Sequence, residues 1–175
     1  KVSILSFIIK ALTKTLSKMN TFNSSVDMDN EVLIVKKYIN LGVAVETPKG
    51  LLVPTIKSAE KKSLKQINDS ILDLSSRARA GKLLPEELSG GSFTVSSLGG
   101  IGGKFFTPII NHPEVAIMGI SRAYTSIDLD KHSFPVKTTI LPFSLSYDHR
   151  VIDGADAARF CNLFKDILAD LNNLE

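Results

Sequence analysis

The sequence predicts one α+β domain. Three observations carry that expectation: apolar residues recur at helical spacing near both ends and once between them, several short runs alternate with a period of two, and the two kinds of segment do not follow a regular βαβ order.

Leu5, Ile8, Ile9, Leu12, Leu16 and Met19 share one helical face, so an amphipathic helix is expected from about Ser3 to Met19. Asn20 to Asn30 is polar and turn-rich. From Tyr38 the period changes: Ile39, Leu41, Val43 and Val45 alternate with Tyr38, Asn40, Gly42 and Ala44, which predicts a half-buried strand. Pro48-Lys49-Gly50 is a turn, and Leu51 to Ile56 reads as a strand interrupted by Pro54. Ser63 and Gln66 have capping-box spacing ahead of Leu64, Ile67, Ile71, Leu74 and Ala78, and Gly81 ends that helix. Phe93 to Ser97 is a strand and Glu114 to Ser121 a fully buried one. Thr138 to Tyr147 is read as one further strand with Leu141, Phe143, Leu145 and Tyr147 on one face. A last helix begins near Asp153 and carries Ala158, Cys161, Leu168 and Leu171 inward.

The 175 residues suit one domain, and 43% hydrophobic against 22% charged residues is an ordinary globular balance. No apolar run reaches the length of a membrane span; Ile4 to Ile9 and Val115 to Ile120 read as buried elements. The net charge of +3 is spread out, with doublets only at Lys36-Lys37 and Lys61-Lys62, which argues against a nucleic-acid partner. One cysteine, Cys161, excludes an intrachain disulfide, points to a reducing compartment and reads as a packed thiol. No C-x-x-C or H-E-x-x-H cluster is present, so no metal is expected.

The strongest chemical signal is Tyr147-Asp148-His149-Arg150-Val151-Ile152-Asp153-Gly154. A strand ends at a histidine, and four residues later an aspartate opens a helix. Asp153 suits an N-cap, and Gly154 is expected to let the backbone pass close behind the imidazole. An imidazole (unperturbed pKa about 6.5) can take the proton of a thiol (about 8.5) near neutrality and give it back. The other reading of the same residues is a histidine that caps the strand and hydrogen-bonds within the core. The second signal is Phe93-Thr94-Val95-Ser96-Ser97 followed by Gly99-Gly100-Ile101-Gly102-Gly103. If Phe93 and Val95 pack inward, Ser96 faces the opposite side, where its hydroxyl could donate to a developing oxyanion. The glycines fit a tight turn better than a phosphate cradle, because Lys104 to Ile110 is not helical in pattern and Lys104 is followed by Phe105. His112 and His132 read as loop residues.

Taken together, Phe22-Asn23-Ser24-Ser25, Tyr38 to Val45, Arg77-Ala78-Arg79-Ala80-Gly81-Lys82-Leu83, Phe93 to Gly100, Pro113-Glu114-Val115-Ala116-Ile117 and Leu145 to Phe160 resemble the catalytic domain of the 2-oxo acid dehydrogenase acyltransferases over nearly the whole chain. Asn111-x-Pro113 to Ile117 and Asp148 to Ala155 look most like the bacterial pyruvate branch, with the branched-chain and succinyl-transferring branches as rivals. The resemblance implies a chloramphenicol-acetyltransferase-like fold, a central mixed sheet flanked by helices, in trimers with the site between subunits. It implies transfer of an acetyl group from S-acetyldihydrolipoyl-lysine to coenzyme A in the bacterial cytoplasm, with the lipoyl group on a separate domain. His149 would be the base, Ser96 the oxyanion donor and Asp153 a holder of the site's architecture. The implied partners are other copies of the chain, in trimers and a cubic core, together with lipoyl domains and the decarboxylase-dehydrogenase and dihydrolipoyl dehydrogenase subunits. Relatives carry a further stretch before the helix at Leu5, with lipoyl and subunit-binding domains, so the chain reads as an N-terminally truncated catalytic domain. A small-molecule acetyltransferase of the same fold and a non-catalytic core subunit are the alternatives, and the presence of His149 argues against the second.

Overall fold

The computed structural model describes residues 2–170 and residue 174. Helix α1 (Ile4–Lys18) starts where Ser3 accepts the Ser6 N–H, and it buries Ile8, Ile9, Leu12 and Leu16 completely or nearly so. Burying four such side chains contributes on the order of 1.5–3 kcal/mol each, which anchors the helix in the core. A hairpin follows, β1 (Ser24–Asp27) against β2 (Val32–Val35), and its first strand lies in the Asn20 to Asn30 segment expected to be turn-rich. Its first strand is half serine and so carries no apolar alternation. Asn23 fixes it by donating its side-chain amide to the Lys36 and Tyr38 carbonyls at 3.0 and 2.8 Å.

The strand expected from Tyr38 to Val45 is divided. Leu41–Val43 forms β3 and Val45–Thr47 forms β4, which pairs with β5 (Gly50–Leu52) across the Pro48-Lys49 turn. Strand β3 is buried on both faces rather than half-buried, because β6 (Thr55–Ile56) and β7 (Phe93–Ser97) hold its two edges in the interior of a sheet. Between β6 and β7 lies α2 (Leu64–Arg79) with its capping box in place: Gln66 N–H donates to Ser63 Oγ and Ser63 N–H to Gln66 Oε1. Gly81, at φ +66°, ends it. The Gly81 and Lys82 amides donate to Ala78 and Arg77, the pairing of a Schellman cap.

The fully buried strand is β8 (Ala116–Ile120). The segment expected to run from Thr138 to Tyr147 breaks at Leu141-Pro142, since proline has no N–H for a ladder. Its first half joins β9 (Tyr124–Leu129) as β10 (Pro135–Ile140), a ribbon outside the main sheet, and its second half is β11 (Phe143–Tyr147). Helix α3 (Gly154–Ala169) closes the domain. It turns Ala157, Phe160, Phe164 and Ile167 inward; Ala158 is exposed, Cys161 and Leu168 are half-buried, and Leu171 lies outside the described residues. The two phenylalanines decide the helix's rotation, because they offer the most apolar area.

The main sheet runs β11-β8-β7-β3-β6, with β8, β7 and β3 mutually parallel neighbours and antiparallel strands at both edges. Its register gives two unlike faces. On one, Leu41 pairs with Phe93, Val43 with Val95, Met118 and Leu145 in turn, and Ile120 with Phe143. These meet α3 through ring contacts of 6.0 Å (Phe93–Phe160) and 5.2 Å (Phe143–Phe164), and α1 packs against both α2 and α3. The other face presents Thr55, Gly42, Thr94, Ile117 and Ser146 in one row and Ser96, Gly119 and Ser144 in the next. Glycine is required twice on this face. A Cβ on Gly42 would lie 2.7 Å from Thr94 Oγ1 and 2.8 Å from Val53, and one on Gly119 would lie 2.6 Å from the Phe106 ring.

Candidate active site

Strand β11 delivers His149 to the surface. Asp148 N–H donates to the Val115 carbonyl at 2.8 Å, and the Asp148 carbonyl accepts the Val151 and Ile152 N–H groups at 3.0 Å each. Ile152 plugs into the core beneath this turn, so the backbone around His149 is fixed from both sides. The imidazole is exposed, rests against the Tyr147 ring at 5.6 Å and makes no side-chain hydrogen bond among the described residues. It is therefore not the core-bonded strand cap that composition alone would suggest. Asp148 pairs with Arg150 at 2.6 Å, which holds its carboxyl below the usual range.

Asp153 is the N-cap of α3, accepting the Asp156 N–H at 2.7 Å. The close backbone approach expected at Gly154 is not found, since a Cβ there would meet only Tyr147 Oη at 3.9 Å.

Ser96 points where the alternation places it. Phe93 and Val95 are fully buried on the helix side, and Ser96 and Thr94 line a cavity of about 370 Å³ on the other. Leu51, Val53, Ile109 and Ile117 supply apolar walls, and Asn111 adds a side-chain amide. An apolar chamber with a hydroxyl at its floor suits a short acyl thioester better than a charged ligand. After Ser97 the chain turns tightly, with Ile101 and Gly102 N–H both donating to the Leu98 carbonyl, and Gly102 and Gly103 adopt φ of +134° and +87°. Lys104 sits over the Tyr124 ring at 5.0 Å. The glycine run is thus a turn, and its lysine is engaged elsewhere.

Among the described residues, His149 does not line the cavity of Ser96, whose walls come from Ala44, Leu51, Val53, Ile117 and the 108–111 loop. His112 and His132 are exposed loop residues, and Cys161 is half-buried with its thiol pushed up by burial. Among the described residues no group of three His, Cys, Asp or Glu could hold a metal, and no helix is long and apolar enough to cross a membrane.

One buried titratable residue beside the Ser96 cavity carries no signal of its own in the sequence motifs. Glu114 is 6% exposed and its carboxyl is raised to about 7 by burial, against the opposing influence of Thr94, Asn111 and Lys36. The available signal was a lone acidic residue opening an otherwise apolar buried run.

The profile of the 2-oxoacid dehydrogenases acyltransferase (catalytic domain) family matches residues 1–175. The chain is 51% identical over 174 residues to the dihydrolipoyllysine-residue acetyltransferase component of the pyruvate dehydrogenase complex of Cupriavidus necator, covering 99% of this chain and 31% of that protein. It therefore spans about a third of the length of that relative. Two solved structures each superpose with a TM-score of 0.95, covering 99% of this chain and 71% of theirs. One, 44% identical, is the Azotobacter vinelandii dihydrolipoamide acetyltransferase, studied for the role of a serine, a histidine and an asparagine in its catalytic mechanism. The other, 45% identical, is the cubic core of a pyruvate dehydrogenase multienzyme complex. Chloramphenicol acetyltransferase shares the fold, at TM-score 0.63, 12% identity and coverage of 95% of this chain and 78% of that one.

Proposed function

Because the chain belongs to the 2-oxoacid dehydrogenase acyltransferase family by its catalytic domain, we propose that it transfers an acetyl group from S-acetyldihydrolipoyl-lysine to coenzyme A, and that its copies build the core of a bacterial pyruvate dehydrogenase complex. The observation that carries this reading is that the same chain has both an exposed imidazole free of side-chain hydrogen bonds among the described residues and a serine lining an apolar cavity. The identity to acetyl-transferring relatives favours acetyl over longer acyl groups.

The coenzyme A thiol gives its proton to His149 and attacks the thioester carbonyl. The carbonyl oxygen becomes an oxyanion, to which the Ser96 hydroxyl donates a hydrogen bond. Collapse of the tetrahedral species breaks the bond to the lipoyl sulfur, which leaves with the proton held by His149. Asp153 acts at one remove, by fixing the start of α3 and with it the turn of His149. Since His149 does not line the Ser96 cavity of its own chain, the reading puts His149 of one copy against Ser96 of the next in a trimer. Coenzyme A and the lipoyl arm are substrates brought to this site, the arm by another domain.

The test is acyl transfer between dihydrolipoamide and acetyl-, succinyl- or isobutyryl-CoA, with chloramphenicol as a competing acceptor, alongside the mass of the assembly by light scattering. Acetyl transfer to dihydrolipoamide by an oligomer is the expected result. Transfer to chloramphenicol alone, or none by an assembled core, overturns the proposal.

A further inference from the structure

Glu114 has no part in the steps above, yet it is the least expected group near them. Its side chain is almost fully buried, and among the described residues neither its Oε2 nor the neighbouring Thr94 hydroxyl (1% exposed) makes a well-aligned hydrogen bond, although Thr94 lies close enough to favour the ionised carboxyl. A buried, unsatisfied pair of this kind is costly unless it serves a purpose. A Cβ on Gly91 would lie 2.6 Å from Glu114 Oε1, so the glycine leaves the carboxyl its place and any larger residue would displace it.

Two neighbours connect Glu114 to the cavity of Ser96. Thr94 lies two residues before Ser96 on the same face of β7, and both line that cavity. Asn111 lines the same cavity and also a second one, shared with Gly91 and Glu114. Resting on the acyl-transfer reading, the geometry points to Glu114 as a positioning residue of that site: from outside the Ser96 cavity its carboxyl sets the orientation of Thr94 and Asn111, the two other polar groups that line it.

The carboxyl can hold Thr94 in two ways. Protonated, it donates to Thr94 Oγ1 and leaves the hydroxyl hydrogen free to turn toward the cavity. Ionised, it accepts that hydrogen and turns it away. Burial, which raises this carboxyl to about 7, makes the exchange fall near neutral pH. The charged groups around it are few. Lys36, whose ammonium donates to the Gly91 carbonyl at 3.2 Å, is the one that favours ionisation. His112, Asp148 and Arg150 line the remaining cavity beside Glu114, with Asp148 and Arg150 already paired to each other. Lys57, near Gly90, donates to the Ser89 carbonyl.

The experiment compares Glu114→Gln with the unaltered oligomer, because glutamine keeps the shape and the neutral hydrogen bonding at every pH. The ratio of variant to wild-type kcat, which cancels the titration of His149, is expected to change about fivefold between about pH 6 and about pH 8, with KM moving little. Thr94→Val should give the same trend in that ratio. In parallel, the Asn111 side-chain amide resonance is expected to titrate near pH 7 in the wild type and to stay fixed in Glu114→Gln. A flat kcat ratio together with an Asn111 resonance that ignores the substitution overturns the inference. If the wild type transfers no acyl group, the functional reading fails instead, and the Asn111 titration still decides whether Glu114 sets the cavity's polar groups.

Discussion

The Asp148 N–H donates to the Val115 carbonyl at 2.8 Å, so the turn that carries His149 hangs from the strand end that immediately follows Glu114. Side chains that differ in role share one backbone anchor.

Replacing His149 by alanine should lower turnover by two to four decades, roughly the range for losing a general base. Ser96→Ala should lower it by about two to three decades, as for removal of one oxyanion donor. Neither change touches the core face, so both variants should keep the wild-type melting temperature. Co-refolding the two inactive variants should restore part of the activity if one copy's His149 serves another's Ser96; steady-state assays of the mixture would measure it.

Stability should depend on pH through Glu114. Its folded pKa, about 7, lies above the ordinary 4.5, so the folded state holds the proton more tightly than the unfolded chain. Stability is then greatest below the unfolded value and declines as pH rises from about 4.5 to 7, levelling off beyond. The full effect is on the order of 3 kcal/mol as an upper figure. In Glu114→Gln this decline should disappear, which urea titrations at pH values on either side of the window would reveal.

Gly42→Ala should destabilise the domain by about 1–3 kcal/mol, the usual cost of forcing a methyl into a packed interior. The contacts at 2.7 Å to Thr94 and 2.8 Å to Val53 leave no direction in which the new carbon fits, because Thr94 belongs to the next strand. A lowered urea midpoint with an unchanged slope is the expected observation.

Asp153→Ala removes the acceptor for the Asp156 N–H and should cost about 1 kcal/mol of stability. Asp153→Asn keeps an acceptor at the cap and should cost far less. If Asp153 acts only through the cap, kcat should follow the same order across the two variants.

Much of this was legible in the residues. Helical spacing matches α1 and α2 almost to the residue, the capping box included, and alternation puts Ser96 opposite Phe93 and Val95, as the fold does. What failed, failed for identifiable reasons. Ser24 and Ser25 form a strand without an apolar signal because Asn23 anchors it through side-chain hydrogen bonds. Pro142 splits a run that looks continuous by apolar pattern alone. The inward face of α3 differs from the expected Ala158, Cys161 and Leu168 because the rings of Phe160 and Phe164, absent from that expectation, decide the packing. The burial of Glu114 follows from the fully buried run expected over Glu114 to Ser121, but its neighbours Thr94 and Asn111 are brought to it by the fold and not by the sequence.

The unlike faces of the main sheet have a consequence for how this protein can change over time. Along β7, neighbouring positions answer to different demands: Phe93 and Val95 keep the chain folded, while Thr94 and Ser96 line the cavity proposed to receive the acyl group. A substitution at an even-numbered position can therefore retune reactivity or the size of the group accepted while the oily side stays intact. Inheritance of the scaffold and divergence of its substrates are thus separable within one five-residue strand.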